Sequence, residues 1–165
     1  MSSSDLTNRN TCWVSEARKV GDSGETNLNK GLMSVLPDHF SIIQKPRDLS
    51  KIYGEFGIVP DLCIINNLNG KRIYIEKKTG NNGGNAHERA YKYLSVPLKQ
   101  EVRKIFNTPE EPFYFVFSGD TFKNQKYISE IGLLLAHIPQ NYILWDGSLE
   151  QIRDFSHNIT KALAN

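Results

Sequence analysis

Apolar residues fall along this chain in two rhythms. Compact runs, Leu62-Cys63-Ile64-Ile65, Ile73-Tyr74-Ile75, Phe113-Tyr114-Phe115-Val116-Phe117 and Tyr142-Ile143-Leu144-Trp145, have the length and the β-branched or aromatic character of buried strands. Between them, apolar positions recur at helical spacing, predicting helices over 13–20, 25–36, 86–106, 124–137 and 148–162, with a short helical turn at 51–56. Ser23 is a candidate N-cap, and Pro97 predicts a kink within the long 86–106 helix. Asn69-Gly70 between two apolar runs predicts a two-residue type I′ hairpin turn, whose central residues both need φ > 0. The element order predicts an α/β fold, a mixed central β-sheet flanked by helices, in a single domain over 1–165.

That hairpin carries the first chemical signal. A two-residue loop pairs Leu68 with Lys71, and counting outward sets Asp61 opposite Lys78 with Glu76 one diagonal step away. All three then share a sheet face. Two carboxylates and an ammonium crowded together suit Mg²⁺, a hard cation that takes carboxylate oxygens along with water and phosphate oxygens. Asp61, Glu76 and Lys78 are therefore candidate catalytic residues for metal-dependent phosphodiester cutting, with Asp61 and Glu76 as candidate metal ligands. The bland alternative is that Pro60-Asp61 is a turn dipeptide and Glu76-Lys77-Lys78 an exposed strand. What raises the motif above it is the polar Gly/Asn loop and basic helix that follow.

Charge sharpens this picture. The chain of 165 residues is 39% hydrophobic, enough for a substantial core, and its net charge is only +2. Yet nine basic residues stand against three acidic ones between Lys71 and Lys104, leaving the remainder net acidic. Such a stripe suits a polyphosphate partner, although a solvated helix face would read the same. Cys12 and Cys63 lie far apart and suit free thiols in a reducing compartment. The N-terminus lacks the apolar core of a signal peptide, and the run from Ile131 to Ala136 is too short to span a membrane, so a cytoplasmic protein is expected. Other chemistries find little support. Gly21-Asp22-Ser23-Gly24 has no upstream histidine to make it a protease loop, the four histidines lack zinc-ligand spacing, and the 80–84 loop lacks the lysine of a P-loop.

Close behind Glu76-Lys77-Lys78 comes Gly84-Asn85-Ala86-His87-Glu88-Arg89, which resembles the Gly-Asn-Ala-x-Glu-Arg signature of the EcoRI and MunI type II restriction endonucleases, nucleases of the PD-(D/E)xK core. Val116-Phe117-Ser118-Gly119-Asp120, Pro112-Phe113-Tyr114, Asn141-Tyr142 with Trp145, Gly24-Glu25-Thr26-Asn27-Leu28 and Lys45-Pro46 are similar too, so the resemblance runs from about 24 to 145. It implies that Asp61 and Glu76 hold Mg²⁺ and that Lys78 orients or activates the attacking water. Lys77 alternates to the other face, so only its backbone carbonyl could add a metal contact. Glu25 would be a possible additional acidic residue near the site, or else a first-turn glutamate favoured by the helix dipole.

The same resemblance makes Gly84, Asn85, Ala86, Glu88 and Arg89 DNA-binding residues that read an AATT core in double-stranded DNA. Asn85 can pair with adenine N6 and N7 and Glu88 can accept from the adenine amino group, while Arg89 on adenine N7 rests on resemblance alone. Gly84 and Ala86 would offer backbone groups at close approach. A palindromic site implies a homodimer, each subunit cutting one strand 5′ of the core to leave 5′ overhangs, and a partner methyltransferase is expected. The chain departs from the family at Gly83, where MunI has an arginine that reads the outer base pair. It also lacks EcoRI's long insertion, so it is expected to read AATT and little outside it. Two alternatives stand beside this reading: a repair or junction-resolving nuclease of the same core, and a non-catalytic DNA-binding protein.

Overall fold

Among the described residues, five strands form one sheet in the order β1 (Phe40–Gln44), β2 (Leu62–Asn66), β3 (Arg72–Thr79), β4 (Phe113–Ser118) and β5 (Tyr142–Trp145). The computed structural model describes residues 23–51, 58–81 and 86–164, so the expected helix over 13–20 and most of the turn over 51–56 lie outside the described residues. The sheet is mixed: β1, β2 and β3 pair antiparallel, whereas β3, β4 and β5 pair parallel. Parallel neighbours need crossovers. A 3₁₀ helix (Ala86–Leu94) and helix α2 (Val96–Ile105) connect β3 to β4, and α3 (Gln125–Leu134) connects β4 to β5. Helices α1 (Ser23–Val35) and α4 (Leu149–Leu163) complete the other side.

Each sheet face has its own core. On one, Cys63, Tyr74, Phe113, Phe115 and Phe117 meet Ala90, Tyr93, Leu98, Val102 and Ile131 from the crossovers. On the other, Leu62, Ile64, Ile73, Ile75, Tyr114 and Val116 meet Leu28 and Leu32 of α1 and Ile152, Phe155, Ile159 and Leu163 of α4. Burial on both faces explains why β2 and β4 read as unbroken apolar runs rather than alternations. Among the described residues no helix is long and apolar enough to cross a membrane.

Three expectations need correction. The first is the hairpin turn. Asn66 N–H donates to the Lys71 carbonyl at 2.9 Å and Gly70 N–H to the Asn66 carbonyl at 2.8 Å, closing a longer loop in which Gly70 (φ 75°) but not Asn69 is left-handed. Asn69 instead accepts from Lys71 N–H and donates to the Leu163 carbonyl, ties that hold it outside the type I′ geometry. The register is consequently Leu62↔Ile75 and Cys63↔Tyr74, which, continued outward, sets Asp61 beside Glu76 rather than opposite Lys78. A shift of two keeps side-chain parity, so the shared face survives.

The second correction concerns the 86–106 helix, which is two pieces. The chain breaks at Ser95, whose hydroxyl caps α2 by accepting from Leu98 N–H, and Pro97 lies in the first turn. There its missing N–H costs nothing, so it starts a helix instead of kinking one. The third is β1, absent from the expected elements. Phe40-Ser41-Ile42-Ile43-Gln44 is a half-exposed edge strand with no clean alternation, and it ends at Lys45, whose φ of 48° turns the chain before Pro46. Asn124 and Ser148 begin α3 and α4 as side-chain N-caps.

Candidate active site

Asp61 stands at the head of β2, where backbone bonds fix it from both sides. Its N–H donates to the Ile75 carbonyl at 3.0 Å, and its own carbonyl accepts from Lys45 N–H at 2.8 Å. The side chain is as firmly held: Oδ2 accepts from Lys77 N–H at 2.7 Å, and Oδ1 pairs with the Lys45 ammonium. Glu76, on the central strand β3, accepts at Oε1 from Lys78 Nζ at 2.5 Å. Asp61 and Glu76 are each only 7% exposed.

Burying two neighbouring carboxylates is costly, and Glu76 registers the cost. Burial raises its pKa above the ordinary carboxylate range and the Asp61 charge adds to the rise, while the hydrogen bond and charge of Lys78, and the charge of Lys92, oppose it. Among the described residues, Glu76 Oε2 is buried without a hydrogen-bond partner, as is the Tyr93 hydroxyl. The Tyr93 hydroxyl faces this carboxylate, and its pKa is likewise raised, first by burial, then by the charges of Glu76 and Asp61 and by its interaction with Glu76. An orphaned carboxylate oxygen beside a second buried carboxylate fits a hard divalent cation, which would supply the charge and the coordination that the protein leaves missing.

The remaining expected residues are spread around this pair. Lys77 turns to the opposite face, with Nζ 5.4 Å from the Trp145 ring centroid, and lines a groove of about 800 Å³ with Thr79, Ser118, Trp145 and Ile152. That groove is not walled by Asp61, Glu76 or Lys78. Glu25 falls in the first turn of α1, whose Leu28 and Leu32 pack on the face away from Glu76; its side chain lies outside the described residues. Gly83, Gly84 and Asn85 also lie outside them.

Beyond that gap, Ala86 opens the 3₁₀ helix, and Glu88 and Arg89 are exposed while His87 and Ala90 are buried. His87 Nε2 lies 3.3 Å from Glu130 Oε1 of α3, and its ring packs edge-on to Tyr91, Phe122 and Tyr127. His87 thus anchors the helix and leaves Glu88 and Arg89 facing solvent. His87, Glu88 and Glu130 could bring ligand atoms within 4.8 Å of one another, a cluster built on this helix and α3 rather than on the hairpin.

Sequence reasoning missed three contributors. In the sequence Lys45 stands out only as part of a Lys-Pro pair, and no spacing rule links it to Asp61. Tyr93 reads as an ordinary helix position, and Lys92 only as one member of the basic stripe. The structure adds a further device at Gly80 and Gly119: Gly80 N–H donates to the Ser118 carbonyl and the Gly80 carbonyl accepts from Thr121 N–H, both at 2.9 Å. A Cβ on Gly119 would lie 2.4 Å from the Gly80 carbonyl oxygen, so only glycine permits the approach that anchors the chain as it leaves β3.

Comparison with known proteins places this geometry in context. The family model described as type II restriction enzyme MunI matches residues 53–164. The type II restriction enzyme MunI of a Mycoplasma species is 25% identical, over 99% of this chain and all of that protein. The crystal structure of MunI restriction endonuclease in complex with cognate DNA superposes with a TM-score of 0.64 at 24% identity, covering 76% of this chain and 83% of the other. This likeness identifies the fold as that of a restriction endonuclease.

Proposed function

This chain belongs to the type II restriction enzyme MunI family of site-specific endonucleases, and on that footing we propose that it cuts double-stranded DNA in a Mg²⁺-dependent reaction at a palindrome with an AATT core, leaving 5′ overhangs. The observation that carries the proposal is the buried Asp61–Glu76 pair, with Lys78 on Glu76 and with Oε2 of Glu76 unpartnered among the described residues. Asp61 and Glu76 would hold the cation, which when bound stabilises charge developing on the phosphate and favours ionisation of the attacking water. Lys78 would contribute positive charge beside that water and hold it in line with the phosphorus. Lys77 N–H holds Asp61 Oδ2, and Tyr93, packed in the apolar core, lies beside the buried carboxylates.

Base reading is assigned to Gly84, Asn85, Ala86, Glu88 and Arg89. The exposure of Glu88 and Arg89 beside the buried His87 supports this, because a rigid helix with two solvent-facing polar groups can meet base edges in a groove. Glycine at position 83 removes a long side chain from the flank of the reader, so AATT itself should be the whole site. A homodimer acting in the cytoplasm, protected by a partner methyltransferase, completes the reading.

Incubating plasmid with protein and Mg²⁺ and sequencing every end tests it. Ends that all begin with AATT, in all flanking contexts, are expected. Cuts confined to one flanking pair would refute the assignment of Gly83, and heterogeneous ends would refute the AATT reading. Lys78→Ala should slow cutting by about 10²-fold or more while leaving duplex binding within a few-fold; a fully active variant would remove the mechanism.

A further inference from the structure

Lys78 pairs with Glu76 and Lys45 with Asp61, and the two ammoniums are not alike. Lys78, on Glu76, is 19% exposed in its side chain and comes from the same strand two residues on; Lys45, on Asp61, is 50% exposed and comes from the turn after β1. Asp61 Oδ2 accepts from Lys77 N–H, and Oδ1 is the oxygen that Lys45 covers. We propose that Lys45 is a built-in counter-ion for the metal position, occupying Asp61 Oδ1 in the metal-free enzyme and having to withdraw before a divalent cation can bind there. The inference rests on Asp61 and Glu76 being the metal ligands.

The geometry allows such an exchange. Lys45 N–H bonds the Asp61 carbonyl, φ is 48° and Pro46 follows, so the backbone is fixed beside Asp61. The four-carbon stem, half in solvent, is the movable part. An ammonium on Oδ1 repels an arriving divalent ion, and the burial of Asp61 limits the screening of that repulsion on the carboxylate side. A DNA phosphate brought against the carboxylate pair would offer Lys45 a second anion. The lysine would then move from carboxylate to phosphate as the metal binds, coupling metal affinity to the presence of substrate.

Mn²⁺ binding to the DNA-free protein, read by electron paramagnetic resonance, tests this without reference to activity. Lys45→Gln is expected to bind Mn²⁺ about tenfold more tightly than wild type, whereas Lys45→Arg, which keeps the charge, should match wild type. With a phosphorothioate AATT duplex that resists cutting, the gap between Lys45→Gln and wild type should close to about threefold or less. Lys45→Gln binding no more tightly than wild type overturns the proposal, and weaker binding would make Lys45 a holder of Asp61 instead of a competitor. A gap undiminished by DNA overturns the coupling. Asp61→Asn separates the two levels of argument: if it binds Mn²⁺ as wild type does, the metal site itself is misassigned, whereas a sensitive Asp61→Asn with an indifferent Lys45→Gln removes only the role of Lys45.

Discussion

Glu76 bears the electrostatic strain of the site. A carboxyl group whose pKa is raised in the folded state binds its proton more tightly there than in the unfolded chain. Its contribution to stability is therefore lost as pH climbs from the ordinary value of 4.5 through the raised one. Neutral pH lies above the ordinary value, so the metal-free protein carries that loss as a standing penalty. Glu76→Gln should accordingly raise the Tm of the metal-free protein at pH 7 to 8, with the gain shrinking toward zero as the pH falls to about 4.5, and should abolish cutting. Thermal melts of both proteins across that range check it. A variant less stable than wild type at neutral pH would mean that the Lys78 pair outweighs burial and the Asp61 charge.

Strands β2 to β5 and most helices are legible because β3, β4 and the stripes of α1 and α4 bury contiguous apolar surface, and burial writes itself into composition. The elements that escaped notice are those set by polar backbone partners. Asn69 looked like the first half of a type I′ turn, but its side chain bonds Leu163, which lies far away in the sequence. Ser95 divides two helices that one apolar pattern joins, and β1 is an edge strand with little to bury. Glycines divide in the same way. Gly70 (φ 75°) has open space around its missing side chain, whereas Gly119 (φ 99°) has the Gly80 carbonyl oxygen against it. Gly119 also has ψ 171°, a region that is essentially closed to other residues. Gly70→Ala should thus cost about 1–2 kcal/mol of left-handed strain, and Gly119→Ala clearly more, about 3 kcal/mol or above, because the clash adds to the strain. Urea midpoints rank the two; the reverse order would mean that the Gly80–Gly119 contact is not what holds the chain where it leaves β3.

At the scale of the molecule, the candidate site was legible as a constellation but not as a charge distribution. Asp61, Glu76 and Lys78 stayed on one face even though their register slipped, since a slip of two preserves parity. The basic stripe fared differently. Arg72, Lys78, Lys99 and Lys104 sit in ion pairs with Asp48, Glu76, Glu111 and Glu101, so the nine positive charges counted along the chain thin out in space. Arg89, Lys92 and Arg103 remain on exposed surface within it. If about three such groups per subunit meet phosphates, and a palindrome recruits two subunits, roughly six counterions are displaced and log K should fall with log[salt] with a slope near −5. Anisotropy titrations of an AATT duplex without metal give that slope, and sedimentation of the same complex gives its stoichiometry. A slope near −2 to −3 with one protein per duplex would describe a monomer, leaving the second strand of the palindrome with no Asp61–Glu76 pair to cut it.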